Sequence, residues 1–220
     1  MIRKSFWVIG AGTFGSLAAR GLNRKHPGAI FTVVDIDPEP LRRLDLPGID
    51  TVCADGAVFL FQRLDDRNRP DWIVPAVPVH LLREWLQLVL PGLETMPVPD
   101  AVLRQLPNPI KGEGGALYTS IADFMCPPDC PEPPKICTCT GRPRPYRLYE
   151  HIQNLAFPPF QTVVVQSRQL LPGVGGYRTG DLREALGAVE SAKTPVLLAT
   201  ACKCHGVVHA LLNKGPAEAP

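Results

Sequence analysis

The sequence has no long apolar segment and almost no excess of one charge. Its 23 Lys and Arg balance 21 Asp and Glu, giving a net charge of +2. Such a weak field would not steer the chain to nucleic acid or anionic lipid. The longest apolar stretch follows Trp72 and is interrupted by Pro75 and Arg83, which is unsuited to a membrane span. The first apolar strand begins within about five residues of Met1, too early for a secretory signal. We therefore expect a cytoplasmic protein with neither a nucleic-acid partner nor a membrane span.

Several catalytic motifs are also missing. The sequence contains no Gly-x-Ser-x-Gly nucleophile elbow and no Walker lysine. Tyr118 lacks a following lysine at the spacing used by short-chain dehydrogenases. These absences exclude the common serine-hydrolase, P-loop and short-chain-dehydrogenase interpretations.

Proline and cysteine are abundant, with 25 and 7 residues among the 220. The prolines concentrate between residues 91 and 160, which predicts a loop-rich middle region that hydrogen-bond ladders do not hold together. Cysteines in a reducing compartment favour metal or redox chemistry over structural disulfides.

A glycine motif near the start organises the chain. Gly10, Gly12 and Gly15 have the G-x-G-x-x-G spacing between an apolar run and a helical pattern. The first glycine permits a sharp turn, the second lets a pyrophosphate approach the backbone, and the third allows close helix packing. A second apolar run ends in Asp35, about 20 residues further on, where a carboxylate would bind the ribose hydroxyls. The motif thus predicts NAD(H), with NADP(H) disfavoured because Asp35 would repel a 2′-phosphate.

Apolar runs and helical patterns alternate along the chain, which indicates a parallel α/β sheet. We predict late strands at 161–167 and 194–200 and a closing helix at 205–213, with a flexible glycine connection at 173–176. These elements would complete one doubly wound, six-stranded parallel sheet of Rossmann type. The whole chain, 1–220, would be a single dinucleotide-binding domain, with a Cys- and Pro-rich, metal-binding loop insertion at 107–150.

The first 80 residues resemble the TrkA-N-type nucleotide-binding domains, the regulatory modules of potassium channels and transporters. The resemblance is carried by the three glycines, by Val33 to Glu39, and by Asp55 after the third strand. It implies a Rossmann fold with Asp35 on the adenosine ribose and Asp55 near the adenine. The predicted cofactor site comprises Gly10, Ala11, Gly12, Thr13, Phe14, Gly15, Asp35, Ile36 and Asp55.

Four cysteines fall within fourteen residues, at Cys126, Cys130, Cys137 and Cys139. The proline-stiffened segment between them cannot form an apolar core, and a metal would supply the missing free energy, since structural zinc contributes an apparent ~10–16 kcal/mol in small peptides. Thiolates suit a [4Fe–4S] cluster, slightly favoured, or zinc. Free thiols or a regulatory disulfide is the alternative.

A second group, Cys202, Cys204 and His205, directly follows the last predicted strand. It would bind a second metal, complete the first site or form a redox dithiol, the alternative being a buried cysteine pair. His209 would share a helix face with His205. Cys53, alone in a strand, is predicted to be a core residue.

His80, behind the fourth strand, could donate a proton near the nicotinamide, or it could cap a helix or face solvent. We therefore regard His80, Cys202 and Cys204 as candidate catalytic residues.

Two functions remain in competition. The first is an NAD(H)-linked oxidoreductase or electron-transfer protein whose cysteine-ligated metal faces the nicotinamide. The second is a nucleotide- or redox-sensing regulatory module with a structural metal. A small molecule or redox partner is expected in either case. The formation of a homo-oligomer is an open alternative.

Overall fold

The computed structural model describes residues 3–44, 46–65 and 67–215. The first part of the chain alternates strands and helices, as the hydrophobic pattern predicts. Its elements are β1 (Ser5–Ile9), α1 (Thr13–Lys25), β2 (Ile30–Asp35), α2 (Pro38–Arg42), β3 (Ile49–Cys53), α3 (Gly56–Arg63), β4 (Trp72–Pro75) and α4 (Leu81–Val89).

The remainder is richer in strands. Its elements are β5 (Leu93–Met96), α5 (Asp100–Leu103), β6 (Ile110–Lys111), β7 (Leu117–Ser120), α6 (Leu148–Gln153), β8 (Gln161–Gln166), β9 (Arg168–Leu171), β10 (Val174–Arg178), α7 (Thr179–Glu190), β11 (Val196–Ala201) and β12 (His205–Asn213).

The first sheet has the strand order β3-β2-β1-β4-β10-β9. Strands β1 to β4 are parallel, whereas β10 pairs antiparallel with β4, placing Tyr177 opposite Ile73. In this register, Gly175 lies at the carboxyl end of β4 and Val174 lies just beyond it. The turn between β9 and β10 therefore lies at the edge where parallel sheets bind ligands.

The second sheet has the order β6-β7-β12-β11-β8, and β5 also pairs with β12. β8 and β11 are parallel, while β12 runs antiparallel to β11, β7 and β5. Because β8 precedes and β11 follows the β9–β10 hairpin in the chain, the two sheets are interleaved in sequence.

Both sheets are covered on both faces, giving five layers. Helices α3, α4 and α7 lie between the sheets in a core that includes Ile9 and Val34 of the first sheet and Leu198 of the second. The residues that precede these in their strands point to the opposite face of the sheet, because side chains alternate along a strand. Val33 packs towards α1 and Leu197 towards α6. Runs such as Val33-Val34 are continuously apolar for this reason.

The prediction of a single six-stranded parallel sheet is therefore wrong for the late strands. The runs at 161–167 and 194–200 belong to a separate sheet, and the hairpin β9–β10 completes the first one. Residues 205–213 form strand β12 rather than a helix. Gly175 and Gly176 lie in strand β10, and Gly173 lies in the turn before it. Residues 107–150 are not one loop, because β6, β7 and the first turn of α6 lie within them; helices and strands are absent from 121–147. Among the described residues, no helix combines the length and apolar character that crossing a bilayer requires.

Candidate functional site

The glycine loop has the geometry that the motif predicts. Gly10 has a φ of 103°, and a side chain there would collide with the backbone carbonyl of Ala76. A side chain on Gly15 would collide with the carbonyl of Gly10, so this glycine lets α1 approach β1. A Cβ on Gly12 would meet nothing within 4 Å. The loop thus combines two sterically required glycines with one that faces open space.

The N-terminus of α1 suits an anion. Gly12 is its N-cap, no side chain caps it, and its first turn contains no acidic residue. The unpaired N–H groups and the positive end of the helix dipole therefore face the open space over Gly12. Thr13 begins the helix, and Phe14, 59% exposed, follows at its rim.

Asp35 ends β2 beside this loop. Its Oδ2 accepts the Ala11 N–H at 2.5 Å, and its Oδ1 accepts the Asp37 N–H at 2.9 Å. A carboxylate oxygen can accept two hydrogen bonds, so both oxygens keep an acceptor position. Ile36, 71% exposed, lies next to it. Glycine loop and carboxylate together fit the diphosphate and ribose of a dinucleotide.

Three further charged residues, Asp55, Arg42 and Arg43, have local partners. Asp55 is the N-cap of α3, and its Oδ1 accepts the N–H groups of Ala57 and Val58 at 2.9 Å. This cap gives Asp55 a structural task that the sequence interpretation did not include. Arg42 and Arg43 are exposed, and each forms an ion pair with Glu39.

The cysteine-rich segment lies against the first sheet at this same edge. The Gly173 N–H, in the β9–β10 turn, donates to the Cys130 carbonyl at 3.0 Å, and the Gln169 side chain donates to the same oxygen at 2.7 Å. A Cβ on Gly173 would collide with the Pro128 carbonyl. The hairpin, which sequence reasoning missed, therefore holds the segment beside the glycine loop.

A cavity of about 680 Å³ opens where these parts meet. Phe14 from the nucleotide loop, Ser167 and Gly175 from the hairpin region, and both cysteine groups contribute to its wall. The cysteine and histidine members are Cys126, Cys130, Cys137, Cys202, Cys204 and His205. The structure thus brings three cysteines of the segment and the whole second group to one cavity, whereas Cys139 is exposed and does not line it.

Two Cys-x-Cys turns show the same sulfur geometry. The Cys202 Sγ accepts the backbone N–H groups of Cys204 at 3.4 Å and His205 at 3.3 Å. Hydrogen bonds from the Thr140 side chain, and then from the backbone N–H groups of Thr140 and Cys139, lower the pKa of the Cys137 thiol. Amide donors on sulfur favour the anionic thiolate, the form that binds metals.

The four cysteines of the segment lie within electrostatic reach of one another. Burial raises the pKa of Cys126, and Cys130, Cys139 and Cys137 raise it further. Even so, no three Cys, His, Asp or Glu side chains within 3–44, 46–65 and 67–215 are arranged to hold a metal ion. A thiol-bound metal therefore stays a prediction.

Glu132 joins the segment to the second sheet. It is buried, with a positive φ of 45°, and its Oε1 accepts the Lys203 N–H at 2.6 Å. The Lys203 ammonium lies 3.6 Å from Oε2. Burial, followed by the Glu132 charge, raises the pKa of Cys202 strongly. No spacing pattern predicts this contact, since Glu132 and Lys203 are 71 positions apart in the chain.

His80 occupies the N-cap position of α4, although its side chain makes no capping hydrogen bond, and it does not face solvent. It is buried, its Nδ1 lies 2.9 Å from the His209 Nδ1, and its Nε2 lies 3.1 Å from the Thr200 hydroxyl. His209 faces this core from β12, so the predicted helix face shared with His205 does not exist. Burial, with the neighbouring Arg83 charge, lowers the pKa of His209 to about 4 and that of His80 well below its usual value. Both rings are therefore neutral near pH 7.

Cys53, expected in the core, is exposed.

The histidine pair makes acid sensitivity a direct prediction. Both folded-state pKa values lie below the ordinary value of 6.5, so below that pH the unfolded chain binds more protons than the folded one. The free energy of unfolding should be level above 6.5 and fall as pH decreases towards 4, by up to about 1.4 kcal/mol per pH unit for each histidine. Urea unfolding between pH 5 and 7.5 measures this. His209→Gln should give a shallower slope, and equal slopes in both proteins would contradict the assignment.

Comparison with known proteins agrees with this architecture. Residues 6–62 match the TrkA-N domain, a Rossmann-type NAD(P)-binding domain, which confirms the resemblance carried by the glycines and Asp35. Residues 79–214, more than half of the chain, match AF_1314_C, described as "Uncharacterized protein, C-terminal domain", and the chain belongs to that family. An uncharacterized protein of Archaeoglobus fulgidus is 29% identical over 216 residues, covering 93% of this chain and 97% of the relative.

Proposed function

We propose that the protein is an NAD(H)-linked oxidoreductase or electron-transfer protein whose thiol-bound metal centre faces the nicotinamide. Gly10, Gly12 and Gly15 would hold the diphosphate, and Asp35 the adenosine ribose. Cys126, Cys130, Cys137 and Cys139 would hold an iron–sulfur cluster or zinc. When bound, NAD(H) supplies hydride chemistry, and the chain's own residues orient it and shield the cavity from water.

One observation carries the proposal: the cysteine-lined cavity adjoins the nucleotide loop. Phe14, two residues after Gly12, lies in its wall. In sheets of this type the second half of a dinucleotide lies beyond the first strand, over the strands added on the far side of β1. Here those strands are β4, β10 and β9, and the turn between the last two contacts the cysteine segment. Cys202, Cys204 and His205 share the cavity and are candidates for completing the metal site or for thiol chemistry.

Anaerobic purification tests the proposal, because air would oxidise an exposed cluster or its thiols. Metal analysis and an absorption spectrum are recorded, and NADH is then added. Visible absorption that NADH bleaches supports electron transfer. A protein that binds NADH without bound metal would contradict the metal centre, whereas a metal-loaded protein that does not bind NADH would contradict the nucleotide assignment.

The TrkA-N match favours a second candidate, a nucleotide- or redox-sensing regulatory module with a structural metal. A colourless protein with stoichiometric zinc, whose thermal midpoint rises with NADH, would support this function over the first.

The Asp35 assignment gives a separate prediction. Asp35→Arg should weaken NADH binding roughly 10- to 100-fold, because it removes charge-assisted hydrogen bonds worth about 1.5–3 kcal/mol. Asp50→Arg, an exposed position on the neighbouring strand β3, is the matched control. Calorimetric titration of both variants measures the effect. Unchanged affinity in Asp35→Arg would remove the ribose assignment.

A further inference from the structure

Strand β8 leaves one edge of the second sheet open. It is the end strand of that sheet and, within the described chain, pairs with β11 alone, in parallel. The N–H groups of Gln161 and Ser167 donate to carbonyls at or next to the two ends of β11. Alternate residues of a strand direct their main-chain groups to opposite sides. The main-chain groups of Thr162 and Val164 therefore point away from β11, and no other described residue bonds to them.

The edge lacks the features that usually keep edge strands from pairing. Such strands are typically very short, charged, bulged or covered, or they contain proline. Residues 161–166 contain no charge, proline or glycine, and their register with β11 is unbroken. A groove of about 340 Å³ runs beside them, with Ala185 and Ala188 of α7 in its wall. These small side chains leave room for another strand.

The other sheet edges of the described structure are protected. At the far end of the second sheet, β6 has only two residues, and β5 carries Glu94. At one end of the first sheet, β3 carries Asp50. At its other end β9 is covered, because the Lys25 ammonium donates to the Leu170 carbonyl at 2.7 Å. The β8 edge differs from these in being long, uncharged and uncovered.

The main chain of this edge is complementary to itself. When two copies of β8 run antiparallel about a two-fold axis through Val164, each outward-facing residue lies opposite another outward-facing residue. Val164 then pairs with Val164 of the second copy, and Thr162 pairs with Gln166. Each of these pairs exchanges two main-chain hydrogen bonds, giving about six in all. The Gln166 carbonyl also accepts a long bond from Arg168, at 3.4 Å, but a carbonyl oxygen can accept two.

The side chains match in the same register. Val163 and Val165 face the core between the sheets, and each lies opposite the other residue of the second copy. Val164 packs towards α6 and lies opposite its own counterpart. Apolar cross-strand pairs of this kind stabilise antiparallel strands. A shift of one residue would set outward-facing groups against groups already bonded to β11, and it would place side chains on the wrong face.

We infer that the protein forms a two-fold homodimer in which the β8 strands of two copies join their second sheets into one continuous sheet. A second copy fits this edge because one surface supplies both sides of the interface, as an isologous contact requires. Ser167 follows the paired segment and lines the cysteine-lined cavity, so the two cavities lie at opposite ends of the shared strands. The inference does not depend on NAD(H) or metal binding.

Val164→Pro tests the edge directly. Proline removes an N–H that faces away from β11, and edge strands tolerate proline at such positions. We expect the dimer dissociation constant to rise roughly 100-fold, because main-chain hydrogen bonds are lost from both copies. Sedimentation equilibrium of the full chain over a wide concentration range measures this, with reductant present to prevent disulfide-linked dimers. Far-UV circular dichroism checks that the variant is folded.

A charge exchange tests the register. Thr162→Lys/Gln166→Lys places like charges opposite each other in the dimer, whereas Thr162→Lys/Gln166→Glu places opposite charges there. Both variants lose the bond from the Thr162 hydroxyl to the Leu155 carbonyl, so this loss cancels in the comparison. The first variant should have a dimer dissociation constant roughly 10-fold above that of the second, because like charges directly opposite destabilise a strand pair and opposite charges stabilise it.

Hydrogen exchange supplies a further readout, because the Thr162 and Val164 amides have no acceptor among the described residues of one copy. These amides should be protected in the dimer and exchange freely on dilution. The inference is overturned if the parent is monomeric at every concentration, if folded Val164→Pro dimerises like the parent, or if the two charge variants dissociate equally. The charge variants decide alone if Val164→Pro does not fold. Protection of these amides in a monomer would show that another segment of the chain covers the edge, which also overturns the inference.

Discussion

Gly12→Val should abolish detectable NADH binding while leaving the fold intact. A Cβ at Gly12 meets nothing within 4 Å, and its φ of −60° suits any residue, so a side chain there is tolerated. The same side chain would fill the space through which a diphosphate reaches the N-terminus of α1. We expect affinity to fall roughly 100-fold or more, or about 2.7 kcal/mol. Calorimetric titration with NADH, alongside thermal unfolding, measures both parts of the prediction.

Two other glycines serve as controls. Gly187→Val introduces the same side chain at an open position on α7, far along the chain, and should leave NADH affinity unchanged. Gly15→Ala should instead destabilise the fold by about 1–3 kcal/mol or more, because its Cβ would collide with the Gly10 carbonyl. Full NADH affinity in Gly12→Val would show that this face of the loop binds no diphosphate.

Under the proposed function, replacing Cys126 and Cys130 with serine should prevent metal binding and lower the thermal midpoint relative to the metal-loaded parent. Serine preserves size but is a poor ligand for thiophilic metals. Residues 121–147 contain neither helix nor strand, so metal bonds would be a large part of their stabilisation. Each kcal/mol lost should lower the midpoint by about 2–4 °C in a chain of this size. Metal content by elemental analysis and midpoints by calorimetry measure the effect.

Cys53→Ser is the matched control, since Cys53 is exposed at the end of β3. It should keep the parent's metal content and midpoint. A fully metallated and equally stable Cys126→Ser/Cys130→Ser protein would rule out these ligands.

The nucleotide half of the molecule could be predicted because its signals are local. The glycine spacing, the apolar runs and Asp35 all lie within one stretch of chain, and each constrains its neighbours through strand and helix periodicity. Asp55 shows the limit even there, since a carboxylate before a helix suits a ligand or a cap equally well.

The second half could not be predicted in this way. Residues 205–213 contain apolar residues at spacings that suit a helix, but β12 packs into a core on each face of its sheet, so its sequence is apolar on both faces. The pairing of Tyr177 with Ile73 joins residues about a hundred positions apart and left no pattern in the sequence. The contact of Glu132 with Lys203 likewise depends on how distant loops meet.

The hairpin β9–β10 has a consequence for anyone who shortens this protein. The two family matches suggest a cut near residue 78, yet the sheet that holds the glycine loop receives its last two strands from residues 168–178. A fragment ending there would leave the main-chain groups of β4 bare on one side and expose Ile73, both of which invite self-association. Studies of nucleotide binding should therefore retain the hairpin, because it completes the sheet that carries the glycine loop and it is hydrogen-bonded to the cysteine segment.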